Sequence, residues 1–229
     1  MVKIERVTVE GFEAAIRGMR NPFNSWSASD SWFGCRQGDY GHTESALCHE
    51  TCRGDCCYCI GKNDYDLMKK LVKAGTDHSK FMRMITVTFD LTAPMYLWKE
   101  IDTYKVGTVR NSCSTMHKVM SKMFTIDDFS WDHLSATGRK TLQDIIAYLN
   151  LVRTSYLNTA DKDVKKDLWW DIIQLLPSSY NQKATMLVNY AVLSNWYQAR
   201  KNHKLDEWHD ICDWIKSLPA QELITGESN

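Results

Sequence analysis

The chain lacks an excess of charge of either sign: lysine plus arginine number 28, and so do aspartate plus glutamate. With no net charge and no basic block, the composition argues against a nucleic-acid polymer or an anionic membrane as principal partner, and a small ligand or a protein fits better. Long hydrophobic runs are missing too. None approaches the roughly eighteen apolar residues that a membrane helix needs. The opening MVKIERVTVE lacks the positive-then-apolar layout of a secretion signal. A cytoplasmic location is therefore expected, with its eight cysteines as reduced thiols or metal ligands and not as a disulfide framework. At 229 residues the chain is long enough to bury a real core. It is read as one domain, 1–229, with a Cys-rich insertion at about 35–60.

What is present begins with a strand over 2–9, where Val2, Ile4, Val7 and Val9 alternate imperfectly with polar residues. A short helix from Phe12 to Met19 follows, stopped by Asn21-Pro22. The next stretch is loop-like in composition but carries Phe23, Trp26, Trp32 and Phe33. These aromatics are expected to pin the loop to a core; the alternative is that they line a pocket for a planar ligand. Six cysteines then crowd into 35–59, among them Cys48, Cys52, Cys56 and Cys59. Four such ligands close in sequence could converge on Zn²⁺, although the spacing matches no familiar ribbon or finger, and a surface insertion with reduced thiols is the bland alternative. Asn63-Asp64 is expected to cap an amphipathic helix ended by Gly75, and His78 follows it.

The stretch 84–117 is the centre of the chain. It opens as a strand (Ile85, Val87, Phe89), breaks at Ala93-Pro94, and resumes as an apolar-aromatic segment ending in Glu100 and Asp102. From 103 to 117 nearly every residue is small or hydrogen-bonding, with Gly107 and the hydroxyls of Thr108, Ser112, Ser114 and Thr115. Such density suits a ligand-binding loop. The connector 125–134 has aromatic anchors, and helices are expected over 136–158, 161–176, 184–201 and 205–218. In the third of these, Asn189, Leu193, Trp196 and Arg200 would fall on one meridian, with Asn189 and Arg200 about 16 Å apart along the axis. With strands expected only in the first half, the fold class is α+β.

These residues carry a resemblance. DHSKF, a strand ending at Ala93-Pro94 with Tyr96 beyond it, a polar loop with Asn111 and Ser114, then Leu175, Leu176 and Pro177, then Asn189, Asn195 and Arg200 follow the order of the flavin-dependent thymidylate synthases, the ThyX family. The family's Asn and Ser fall on Asn111 and Ser114. Its Arg-His-Arg triplet falls on Tyr104, Lys105 and Val106, its following Arg-Tyr on Met116 and His117, and a nucleotide-binding Arg on Ile173, all changed.

The resemblance implies an α+β fold around a small sheet, and a homotetramer with sites at subunit junctions. It also implies FAD as cofactor and a pyrimidine deoxynucleotide as substrate. In that family reduced flavin relays a one-carbon unit from a folate to the uracil ring without a cysteine nucleophile. On this basis Ser114 is the catalytic candidate, and Asn111, Ser114, Arg110 and Arg200 are the substrate-binding set. His78, Lys105, Thr108, Asn189 and Asn195 are the cofactor-binding set. Lys105 and Arg110 could replace part of the lost positive charge, although a lysine does not reproduce a forked guanidinium. For acid or base, His78, His117, Glu100 and Asp102 are the nearest candidates. The expected function is a ThyX-like enzyme acting on a pyrimidine nucleotide. The alternative is a nucleotide-binding or sequestering protein without chemistry, and a weaker third reading is a metal-stiffened interface built by the cysteine segment.

Overall fold

The structure is a computed structural model that describes residues 2–33 and 58–227. Its elements in chain order are β1 (Lys3–Glu10), α1 (Phe12–Arg20), β2 (Trp32–Phe33), β3 (Tyr58–Cys59), α2 (Lys62–Lys73), β4 (Thr86–Pro94), α3 (Met95–Ile101), β5 (Val109–Ser112), α4 (Thr115–Lys118), α5 (Ala136–Asn158), α6 (Lys162–Leu175), β6 (Asn181–Asn189), α7 (Tyr190–Arg200), α8 (Asp206–Lys216) and α9 (Glu222–Thr225). A four-stranded sheet has the order β1-β4-β6-β5, and β2 pairs with β3 in a second, two-stranded sheet. The class is α+β, as expected. No described helix is long and apolar enough to cross a membrane.

The chain divides into two compact units. The first comprises Met1–Glu5, Asp90–Tyr104 and Arg110–Met186. Its core is a cluster of Phe124, Phe129, Leu142, Ile146, Leu149, Val152 and Ile172, in which α5 and α6 pack together. Both helices begin where the sequence places them. The Ser135 hydroxyl accepts from the Gly138 N–H, and the Asp161 carboxylate accepts from the N–H groups of Asp163 and Val164. The Asn150 side chain holds the preceding connector by bonding both backbone groups of Phe124, at 2.9 Å each.

The second unit comprises Arg6–Phe89, Lys105–Val109 and Leu187–Asn229. Ile16, Met68, Ile85, Tyr190, Trp196, Trp208 and Ile215 are among its fully buried side chains. Trp196 and Trp208 meet edge to face at 5.7 Å. A polar clasp joins the segment before β2 to the start of α2. The Asp30 carboxylate accepts from the N–H groups of Asn63 (2.8 Å) and Asp64 (3.1 Å), and the Ser31 hydroxyl accepts from the Gly61 N–H (2.9 Å). A Cβ at Gly61 would lie 2.2 Å from the Asp30 carboxylate carbon, so this approach requires glycine.

Several expectations are corrected. Asn63-Asp64 does not cap α2: both residues lie inside it, Asp30 does the capping from a distance, and Asp64 is buried. The stretch 184–201 is not one helix. Ala184, Met186 and Val188 are buried in alternation with Thr185 and Leu187, which makes strand β6, and the helix starts only at Tyr190. A strand therefore lies in the second half as well. Three of the four loop aromatics are not pinned to a core, since Phe23, Trp26 and Phe33 are 60%, 52% and 65% exposed, whereas Trp32 is half-buried.

Candidate functional site

In the second unit a cavity of about 420 Å³ is lined by the end of α2 and the residues after it (Val72, Gly75, Thr76), the 3-10 turn (Ser79, Met82, Arg83), Val106-Gly107, and the start of α7 (Asn189, Ala191, Val192, Ser194, Asn195). The sequence builds this wall in identifiable steps. Asn189 ends β6 in extended backbone and caps α7: its Oδ1 accepts from the Val192 N–H at 3.0 Å. That commits the acceptor of the amide and leaves its Nδ2 donor. Gly107 lies opposite, at φ +78°, where a Cβ would sit 2.9 Å from Asn189 Nδ2. Left-handed backbone and close approach both call for glycine there. Ser79 and Arg83 are presented by a turn anchored through the buried Phe81 and Met82.

The side chains of Thr76, Ser79, Arg83 and Asn195 have no hydrogen-bond or ion-pair partner among the described residues. Beside the cavity, the Thr108 hydroxyl oxygen is buried without a partner. Among the described residues, donors thus outnumber acceptors on this wall, and Arg83 is its single charged residue. Such a surface is chemically matched to a ligand rich in acceptor oxygens.

Of the expected cofactor set, Asn189 and Asn195 line the cavity directly. Lys105 and Thr108 lie on the same short segment as Gly107, and His78 is exposed on the stretch between Thr76 and Ser79. Asn189 ends β6 and caps α7 from outside, so of the four residues expected along one helical meridian only Leu193, Trp196 and Arg200 lie within the helix. Arg200 is half-buried, with its guanidinium over the Trp208 ring at 5.2 Å.

The remaining candidates lie in the first unit. Arg110 and Asn111 are on β5 and Ser114 is the N-cap of α4, its hydroxyl accepting from the His117 N–H at 3.1 Å. Arg110 is already engaged, 2.8 Å from Asp102 and stacked over Trp98 at 4.8 Å. Neighbourhood in sequence is what joins Arg110, Asn111 and Ser114.

Sequence reasoning missed Thr76, Ser79 and Arg83. The signal was present: a helix ending at glycine, followed by hydroxyls and a cation just before a buried strand. The zinc expectation finds no support. Cys48, Cys52 and Cys56 lie outside the described residues, and Cys59 is buried in β3 and not offered at a surface. Among the described residues no group of three or more His, Cys, Asp or Glu side chains could hold a metal ion.

No family model matches the sequence, and neither does any curated protein. Solved structures do match. One is the flavin-dependent thymidylate synthase ThyX from Helicobacter pylori complexed with FAD and dUMP, at 16% identity and a TM-score of 0.64, with 98% of each chain covered. A second structure of that enzyme with FAD and dUMP gives 15% identity and the same TM-score, over 99% of this chain and 98% of that one. A UMP/dUMP methylase, PolB, from Streptomyces cacaoi bound with 5-Br dUMP matches at 11% identity and a TM-score of 0.56, over 99% of this chain and 95% of that one. Over nearly its whole length, therefore, the chain has the fold of the flavin-dependent thymidylate synthases.

Proposed function

We propose that this chain is a divergent ThyX-like, FAD-dependent enzyme that modifies a pyrimidine nucleotide by one-carbon transfer or a related alkylation. The observation that carries this reading is the donor-lined cavity of the second unit, on a fold shared with enzymes solved with FAD, dUMP or a brominated dUMP. FAD fits that donor set: the Asn189 Nδ2, the Asn195 amide and the hydroxyls of Thr76 and Ser79 suit the carbonyl, ribityl and phosphate oxygens of a flavin dinucleotide. When bound, the cofactor supplies the electrons and the one-carbon relay.

The residues of the chain bind and orient. Asn189 is held rigidly by its own capping bond, Gly107 lets the backbone approach it, and the buried Met82 closes one side. For the nucleotide we assign Asn111, Ser114 and Arg110 of the first unit, with the Ser114 hydroxyl keeping its proton as a donor after accepting from the His117 N–H. We further propose a cytoplasmic homotetramer.

A second reading, a nucleotide-binding protein without chemistry, is favoured by one specific observation: Arg110, offered as a replacement cation, is tied to Asp102 and Trp98. Thermal melting with FAD, dUMP and both together separates the two. A ligand at about 100 times its Kd adds about 2.7 kcal/mol to native stability, which for a chain of this size is a rise of roughly 5–10 °C. A rise with FAD supports the enzyme. A rise with dUMP alone selects the second reading, and no rise with either refutes both.

A further inference from the structure

We infer that Arg83 is the phosphate anchor of this cavity. The inference rests on the reading that a phosphorylated ligand enters here.

Four observations carry it. Among the described residues, Arg83 is the single charged one lining the cavity, with no carboxylate on the same wall to neutralise it. Its guanidinium has no ion-pair or hydrogen-bond partner among the described residues, so its donors remain available. The backbone beneath it is fixed, because Phe81 and Met82 before it and Ile85 after it are buried. The remaining wall adds donors and positive partial charge: the N-terminal turn of α7 contributes Ala191, while the Val192 N–H is spent on Asn189 Oδ1, and the Asn189 amide offers its Nδ2. Arg110 and Arg200, by contrast, both stack on tryptophans, and Arg110 also pairs with Asp102. A planar fork free of partners is matched to two phosphate oxygens at once, which a lysine does not reproduce.

Phosphate oxygens are common to the diphosphate of FAD and the monophosphate of a nucleotide, and calorimetric titration distinguishes the sources. Wild type, Arg83→Gln and Arg83→Lys are each titrated with FAD, riboflavin, dUMP and inorganic pyrophosphate at two salt concentrations. Because the side chain is exposed and unpaired, both variants are expected to melt at the wild-type temperature. For the phosphate-bearing ligand that uses the site, Arg83→Gln is expected to weaken binding roughly 10- to 100-fold and to flatten its salt dependence. Arg83→Lys should fall between, and riboflavin affinity should hardly change.

Loss confined to FAD assigns the cofactor diphosphate, and loss confined to dUMP assigns the nucleotide phosphate. Either result supports the inference. Unchanged FAD and dUMP affinities in Arg83→Gln overturn it while leaving the proposed function standing. If wild type takes up no flavin, the proposed function fails instead. The inference then stands if dUMP or pyrophosphate binding depends on Arg83, and falls if such binding is absent or indifferent to the substitution.

Discussion

Asp64 has no exposed surface, and its carboxylate accepts five hydrogen bonds: from Arg20 Nε, the hydroxyls of Ser29 and Ser31, and the backbone N–H groups of Asp30 and Ser31. Burial by itself raises the pKa of such a group. Here the Ser29 and Ser31 hydroxyls and the Arg20 guanidinium outweigh burial and hold it below the usual carboxylate range. The sign follows from linkage. A depressed native pKa contributes stability that is fully present above the unfolded value, about 3.9, and is lost as pH falls through the native one. Asp64→Asn should cost roughly 3–5 kcal/mol at pH 7, because Arg20 is left buried without its counter-charge. The gap between variant and wild type in urea unfolding should narrow below about pH 4. An equal gap at pH 7 and pH 3 would refute this account. At Gly107, substitution by alanine places a Cβ against Asn189 Nδ2 in left-handed backbone. We expect a loss of about 1–2 kcal/mol together with weakened FAD binding, read by urea unfolding and by flavin titration of the same sample.

Among the elements, the junction of β6 and α7 teaches most about what a sequence discloses. The amphipathic helices α1, α2, α5, α6 and α8 were legible because their apolar residues recur at 3.6-residue spacing over two or more turns. In 184–201 two periods abut without a glycine or proline between them. The alternation of Ala184, Met186 and Val188 was absorbed into the helix that follows. The asparagine at the boundary was the available signal, since its side chain favours the first position before a helix. This double duty can be split by experiment. Asn189→Asp keeps an acceptor for the Val192 N–H and removes the Nδ2 donor, so stability should stay within about 0.5 kcal/mol while flavin affinity falls. Asn189→Ala removes both and should cost about 1 kcal/mol in addition. If the aspartate variant binds FAD as wild type does, the amide donor has no part in the site.

For the molecule as a whole, the fold is shared with solved structures where the sequence is not. No family model matches, yet the backbone follows the ThyX fold over nearly the full chain. Cores tolerate apolar exchange when volume and pattern persist, so 16% identity is compatible with one architecture. The motif order was therefore legible, whereas the cavity was not: Thr76, Ser79 and Arg83 meet Asn189 and Asn195 only through tertiary folding. The proposed homotetramer belongs to this scale. Light scattering should give four times the 26.5 kDa of one chain, and a mass of one chain at micromolar concentration would refute it. The clasp of Asp30 and Ser31 on α2 has a consequence of its own. Together with the antiparallel pairing of Trp32 with Cys59 and Phe33 with Tyr58, it seals the entry and exit of residues 34–57 side by side. The clasp is then the point at which the two-stranded sheet is tied to a helix: Asp30→Ala should cost about 1 kcal/mol in urea unfolding by leaving the first N–H groups of α2 uncapped, and an unchanged midpoint would show that the strand pairing holds this corner alone.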